Sequence, residues 1–400
     1  MQKLKTKNCR RRILKMRFWG WVSKILLEPW PVWIGILFLS LTNLYMFIYA
    51  RALGVFPQMA MWGTWLYNLL GWNIEAPFPA IPVKLPYLDP HSLLDFGIIL
   101  GALGVALLNR EFKFRKENLE GYFWAILGGF LMGLGTVLMP PCNVGGFWVA
   151  TMAFSLSGPL SGIGLLFGAY IGTKFLRIEL NKALEKVDFH SASEVEPLKP
   201  KNSTQPIWGI ILLALIFLIA LTYYYYNLAL HTGLFLFGVI FGVIFQRSRI
   251  CFVAAFREIT ASYNGKLMKY IIISIAISAI GFAFLKSKGY QPYHMVFPAG
   301  WHNLIGGIIF GIGMVLAGGC GVGILVRSGE GYTRSWMALI VGCLTSGAWT
   351  GIYGYKVGQG WIYGPSIFLP DTIGWLGSFL LIYSFLFLFY LFILWMEGKK

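Results

Sequence analysis

The sequence predicts an all-α, polytopic membrane protein built from an inverted, pseudo-symmetric repeat. Composition, charge-free runs and one duplicated motif carry that reading. Only 12% of the 400 residues are charged and 57% are hydrophobic, whereas an ordinary globular domain is roughly 25% charged. No Asp, Glu, Lys or Arg occurs in 121–173, 202–246, 301–326, 335–355 or 372–396, and about 20 apolar residues suffice for a helix to cross a bilayer core. A β-barrel would instead alternate apolar and polar residues in segments of about ten. The net charge of +17 is too concentrated for a soluble nucleic-acid binder, which spreads charge over basic faces. The expected partner is therefore the lipid bilayer, with no nucleic acid.

About ten hydrophobic segments follow in order: 30–50, 93–109, 121–139, 157–176, 207–226, 232–247, 268–285, 301–317, 335–354 and 373–396. The first follows a basic stretch, but its apolar run is too long for the core of a signal peptide and is expected to be retained. Residues 1–28 read as a basic cytoplasmic tail and 29–92 as the first transmembrane helix with an extracytoplasmic interfacial cap. Residues 93–176 form a first repeat, 177–206 a cytoplasmic linker and 207–355 a second repeat. The last helix and a short cytoplasmic tail occupy 356–400. Nine basic side chains and no acid in the first 24 residues place the N-terminus in the cytoplasm by the positive-inside rule. Ten crossings then put 110–120, 174–206, 247–269 and Lys399-Lys400 inside, and each carries Lys or Arg.

The duplication is specific. Residues 126–145, ILGGFLMGLGTVLMPPCNVG, align without a gap on 304–323, LIGGIIFGIGMVLAGGCGVG, with nine of twenty positions identical at an offset of 178. The identities include Gly128/Gly306, Gly135/Gly313, Cys142/Cys320 and Gly145/Gly323. Glycine periodicity alone is common where transmembrane helices pack closely; the shared cysteine and its Val-x-Gly raise the match above that. The first copy is expected to run outward and the second inward, the inverted arrangement in which transporters bind substrate at the repeat interface. Each copy stops at Pro140-Pro141 or at Gly318-Gly319, presents a cysteine and restarts after Asn143 or Gly321. Such breaks are expected to aim short or re-entrant helix N-termini at an anion.

A third cysteine, Cys251, follows a Gly-x-x-x-Gly helix and Arg247-Ser-Arg249, with Arg257-Glu258 behind it. The corresponding first-half stretch is expected to be 96–110, which keeps Gly97-x-x-x-Gly101 but lacks the cysteine. Arg249 and Arg327 are expected to attract an anion at the cytosolic mouth, with Glu330 orienting Arg327 and Arg257-Glu258 as supporting groups. Cys9 and Cys343 read as incidental and as a small core residue. His302 and Asn303 read as interfacial, and Asp95 and Asp371 as solvated or capping groups near segment ends. No cysteine pair has C-x-x-C spacing and no two histidines stand at i, i+4, so no metal or cofactor is expected. No Walker-type loop occurs.

Three stretches together resemble the YeeE/YedE sulfur-transport family of thiosulfate permeases. They are Arg249-Ile-Cys251-x4-Phe-Arg257-Glu258, then Gly311-x-Gly313-Met-x-Leu-Ala-Gly-Gly-Cys320-x-x-Gly323 with Leu325-Val-Arg327 behind it, and the first-half copy ending at Cys142. The resemblance covers roughly 93–355. It implies an hourglass-shaped inner-membrane protein that imports thiosulfate past Cys142, Cys251 and Cys320 and hands sulfur to a cytosolic sulfur-carrier protein. Asn143, Gly145, Gly319 and Gly323 flank those cysteines. The first-half Pro-Pro-Cys-Asn departs from the family's usual form, so selenium compounds or other sulfur species stay open as substrates.

The chemistry agrees with a soft anion. Thiols in an apolar pore are expected to stay neutral and to donate weak hydrogen bonds to a terminal sulfur, which thiolates would repel. The reading is a transporter and not an enzyme. The alternative from another class is a membrane thiol oxidoreductase, which needs two cysteines with Cα atoms about 4 to 7 Å apart.

Overall fold

A backbone in lipid must satisfy its own hydrogen bonds, so uncharged apolar runs become helices. The computed structural model describes residues 28–72, 85–185, 204–290, 295–349 and 364–399, and all ten expected segments are helical there. They are α1 (Val32–Tyr49), α3 (Pro90–Leu108), α4 (Leu119–Leu138), α6 (Ser157–Glu185), α7 (Gln205–Tyr225), α8 (Ala229–Ser248), α10 (Lys266–Ser287), α11 (Trp301–Ala317), α13 (Thr333–Trp349) and α14 (Leu369–Glu397). Nine of the described helical stretches are long and apolar enough to cross a membrane. Four short elements lie between them: α2 (Phe56–Leu69), α5 (Asn143–Val149, running on through Ala150–Met152), α9 (Phe252–Ala261) and α12 (Gly321–Gly329). The basic tail with Cys9, and linker residues 186–203, lie outside the described residues.

The two copies of the duplicated motif pack against each other, and they run antiparallel. A Cβ on Gly135 would lie 2.6 Å from the Phe310 nitrogen, and one on Gly313 would lie 2.7 Å from that of Met132. One on Gly128 would lie 2.4 Å from the Ala317 nitrogen, and one on Gly306 would lie 2.6 Å from that of Met139. Shifting either residue by the repeat offset turns each contact into its mate, so the α4–α11 interface is self-complementary in the manner of a two-fold. Lipid offers no hydrophobic drive between helices, and close glycine contacts supply van der Waals attraction instead.

The same symmetry organises the rest. α6 packs on α11 as α13 packs on α4, α2 on α13 as α9 on α6, and α3 on α8 as α10 on α1. The halves are therefore α1 to α6 and α8 to α13. α7 and α14 stand outside the symmetry, and most of their large apolar side chains are exposed, as lipid-facing helices require. This corrects one expected correspondence. Residues 96–110 are not the counterpart of the helix before Cys251: α3 and α8 lie side by side and parallel, with Gly97 against Gly238 and Gly101 against Val239. The counterpart of α8 is α1, and that of α3 is α10.

A second correction concerns the segment read as an interfacial cap. Ala52, Leu53, Val55, Phe56 and Met59 are all fully buried, because α2 inserts against α13, with Gly63 meeting the Cys343 carbonyl. His302 and Asn303 are also buried rather than interfacial: the His302 ring contacts the Leu138 carbonyl at 2.7 Å, and Asn303 accepts from the Gly300 N–H at 2.9 Å.

The tight α4–α11 seam is testable. Gly135→Leu is expected to destabilise the detergent-solubilised protein by about 3 kcal/mol or more, through overpacking against backbone. Gly104→Ala, whose Cβ would meet only side-chain carbons at 3.8 Å, should leave the unfolding temperature within error of wild type.

Candidate substrate pathway

Four long helices stop short, and the four short helices restart after them. α4 ends before Pro140 and Pro141, which lack an N–H and force the preceding residue to be extended; Cys142 is then the N-cap of α5. α11 ends at Gly318, whose φ of 73° is the left-handed cap that glycine adopts freely, and Cys320 is the N-cap of α12. α8 ends at Arg249, itself left-handed with φ 55°, and Cys251 is the N-cap of α9. α1 is followed by Val55 as the N-cap of α2. By the symmetry, Val55 occupies the position of Cys251.

These starts converge. Cys142 is fully buried, and the N–H groups of Val144 and Gly145, together with those of Val55 and Phe56 from α2, are directed at its sulfur. Cys320 is 1% exposed, and its sulfur accepts from the Gly323 N–H at 3.4 Å. It lies within electrostatic reach of both Cys251 and Cys142, and the Asn143 amide faces it. Neither amide atom of Asn143 completes a hydrogen bond of normal geometry. Gly321 abuts the start of α2: a Cβ there would meet Val55 Cγ2 at 2.9 Å and the Phe56 ring at 3.0 Å.

Small residues keep this place open to backbone donors. A Cβ on Gly145 would fall 2.4 Å from Pro141 Cγ, one on Gly319 2.9 Å from Ile324 Cγ2, and one on Gly323 3.4 Å from the Cys320 sulfur. Each helix N-terminus carries roughly half a positive charge and unsatisfied N–H groups, the two features of an anion site. The three cysteines are free thiols. Of the residues expected from sequence, the structure brings together Cys142, Asn143, Gly145, Cys251, Gly319, Cys320 and Gly323, and it adds Val55 and Phe56, which sequence reasoning did not name. The available signal was Pro57 in the first turn of α2, a position that favours proline.

Arg247 and Arg249 lie at the end where α3, α8 and α12 finish, and Arg327 reaches back from α12 to Gly318. Arg249 bridges two carboxylates, Glu111 and Glu330, each at 2.7 Å, which holds its left-handed backbone against a cost of about 1 kcal/mol. Arg247 is 3.9 Å from Glu111, and Gln246 donates to Glu111 at 2.8 Å. Arg327 donates to the Gly318 carbonyl and lies 5.7 Å from the Tyr332 ring. Glu330 therefore binds Arg249 rather than orienting Arg327. Burial pushes its carboxyl up from the usual range, opposed by Arg249, Arg327 and Arg115. Arg257 and Glu258 are half-buried on α9 and form no ion pair among the described residues.

Comparison with known proteins matches the chain to a family described as sulphur transport over residues 1–171 and 247–400. The chain belongs to that family. It is 28% identical to the probable transporter YedE of Escherichia coli K12 over 87% of each chain. It is 41% identical to the thiosulfate transporter TsuA of Spirochaeta thermophila over 27% of this chain and 33% of that one, and 38% identical to TsuA of Escherichia coli K12 over 26% and 29%. The sulphur transport family and these named transporters make this a multi-pass membrane protein of transport, not an enzyme.

Exposure ranks the thiols of the family motif. N-ethylmaleimide in native membranes should modify Cys251, the one of the three that is part-exposed, well before Cys142 and Cys320. Peptide mass spectrometry over a time course reads this order; faster labelling of Cys142 would contradict the buried site.

Proposed function

We propose that the protein imports thiosulfate, or a chemically similar small sulfur anion, across the inner membrane along Cys142, Cys251 and Cys320. The observation that carries this reading is the convergence of three N-cap cysteines with backbone N–H groups from α2, α5 and α12. Neutral thiols and backbone donors replace water around the anion, and the terminal sulfur suits weak S–H donors better than sulfate oxygens do. No guanidinium or ammonium belongs to the cluster as described, so the anion is held weakly enough to leave, which conduction requires. The names of the TsuA relatives support thiosulfate as the substrate.

The N-terminus lies in the cytoplasm in this reading, which places the Glu111, Arg249 and Glu330 end inside. Arg249 and Arg327 draw the anion through that mouth, Glu330 holds Arg249 in place, and Arg257 and Glu258 line the approach. A cytosolic sulfur-carrier protein receives the product there. Moving a dianion inward against roughly 100 mV, inside negative, costs about 4.6 kcal/mol.

Cys251→Ala and Cys320→Ala are expected to abolish thiosulfate-dependent growth of a sulfur auxotroph while both proteins still reach the membrane. Uptake of labelled thiosulfate by these cells should fall about tenfold or more, the worth of one lost hydrogen bond at the upper end of its usual range. Wild-type growth and uptake in both variants would overturn the assignment.

A further inference from the structure

α3 carries a buried acid that the anion cluster does not use. Its N-cap Asp89 is satisfied, accepting from the Ser92 N–H and hydroxyl, both at 2.7 Å. Asp95, a turn and a half deeper, is 0% exposed, and neither carboxylate oxygen has a hydrogen-bond partner. Sequence reasoning expected a solvated or capping group there; the structure puts the acid inside the bundle. A charged carboxylate in such surroundings is among the most costly groups a membrane protein can hold, and intramembrane acids of this kind mark proton relays. The neutral acid is the form this environment accommodates.

His91 stands at i−4 from Asp95, hence on the same face of α3 one turn toward its start. Its Nδ1 is likewise buried without a partner. The other ionisable groups about the pair come from several elements. Arg51, from the chain between α1 and α2, and Asp89 act on both Asp95 and His91. Cys343 of α13 lies within electrostatic reach of Asp95, and His231 of α8 within reach of His91. The His231 ring contacts the Leu88 carbonyl at 3.1 Å and stacks on Tyr223 of α7 at 5.7 Å. Tyr67 of α2 stacks on Trp72, and Arg327, the charged residue of α12, is engaged at Gly318. The titratable groups thus run from the start of α3 and the exposed start of α8 inward to Asp95.

α3 also touches the anion pathway. It packs on α12, where a Cβ on Gly329 would lie 2.5 Å from the Ile99 carbonyl; α12 begins at Cys320 and ends beside Glu330. α3 thus joins Asp95, through packing, to the helix that carries a pathway thiol.

We infer that Asp95, reached through His91, is a proton-binding site that couples inward movement of the anion to inward movement of a proton. The proton enters from the end of α3 that bears Asp89, binds a carboxylate oxygen of Asp95 and leaves at the opposite end as the anion is released. One proton per dianion removes one of the two negative charges moved, each worth about 50-fold in attainable accumulation at 100 mV. The inference rests on the anion-import reading above.

Purified full-length protein in liposomes tests it, with the potential clamped by valinomycin and potassium, labelled thiosulfate outside and a pH dye trapped inside. Wild type should acidify the lumen when thiosulfate is added, and an outside pH one unit more acidic should raise steady accumulation about tenfold, the equivalent of one proton. Asp95→Asn should lose both responses while still exchanging labelled for unlabelled thiosulfate, a process without net proton movement. Asp95→Glu should restore the gradient response. Wild-type uptake without luminal acidification, or an Asp95→Asn protein that keeps the gradient response, overturns the proton site and leaves the import reading standing. Absence of both uptake and exchange in wild type overturns both. If Asp95→Asn fails to fold, the wild-type dye and gradient measurements decide alone.

Discussion

The structure depends on how a membrane bundle can afford to stop a helix inside itself. Every helix start leaves N–H groups without a carbonyl, and lipid cannot supply one. The fold meets this by bringing four starts together, at Val55, Cys142, Cys251 and Cys320, where they face sulfur atoms and one another's termini. The antiparallel seam of α4 and α11 makes the meeting possible. Glycines at 128, 135, 306 and 313 let the two backbones approach until the breaks after Leu138 and Ala317 point back into the bundle.

In the proposed pathway, that arrangement separates attraction from binding. The arginines that dominate the motif after Cys320 and before Cys251 are neutralised by Glu111 and Glu330 or held on carbonyl oxygens. Where the cysteines meet, the groups directed at the sulfurs are backbone N–H groups of helix starts, which carry partial positive charge. Fixed guanidinium groups would hold a dianion firmly, whereas partial charges and thiols exchange it for water at small cost. The Asn143 amide faces Cys320 and is buried without a hydrogen bond of normal geometry.

Much of this was legible in the amino-acid order, and the misses have physical causes. Long helices show as uncharged runs because lipid demands about 20 apolar residues, so all ten were placed. The inverted repeat was readable because the helix–helix seam constrains glycine positions and the break constrains the cysteine. α2 reads as part of an interfacial cap because it is short and the 51–92 stretch around it, with its Trp, Tyr and Pro, has no apolar run of spanning length. The pairing of α3 with α8 misled for a related reason: Gly-x-x-x-Gly marks close packing, and it occurs both between repeats and between neighbours that are not repeats. Arg327 and Glu330 are close in sequence but diverge at the end of α12, where Glu330 finds Arg249 across the bundle. Asp95 sits near the start of its helix in sequence, yet α2 folds over that start and buries it.

The central claim is that the anion rests among Cys142, Cys251 and Cys320. Its most direct test is anomalous scattering from crystals of the protein equilibrated with selenosulfate, the selenium analogue of thiosulfate. The account predicts a selenium peak in contact with the cysteine sulfurs and the N–H groups at the starts of α2, α5 and α12. A peak at the Arg247 and Arg249 cluster with none among the cysteines would contradict it.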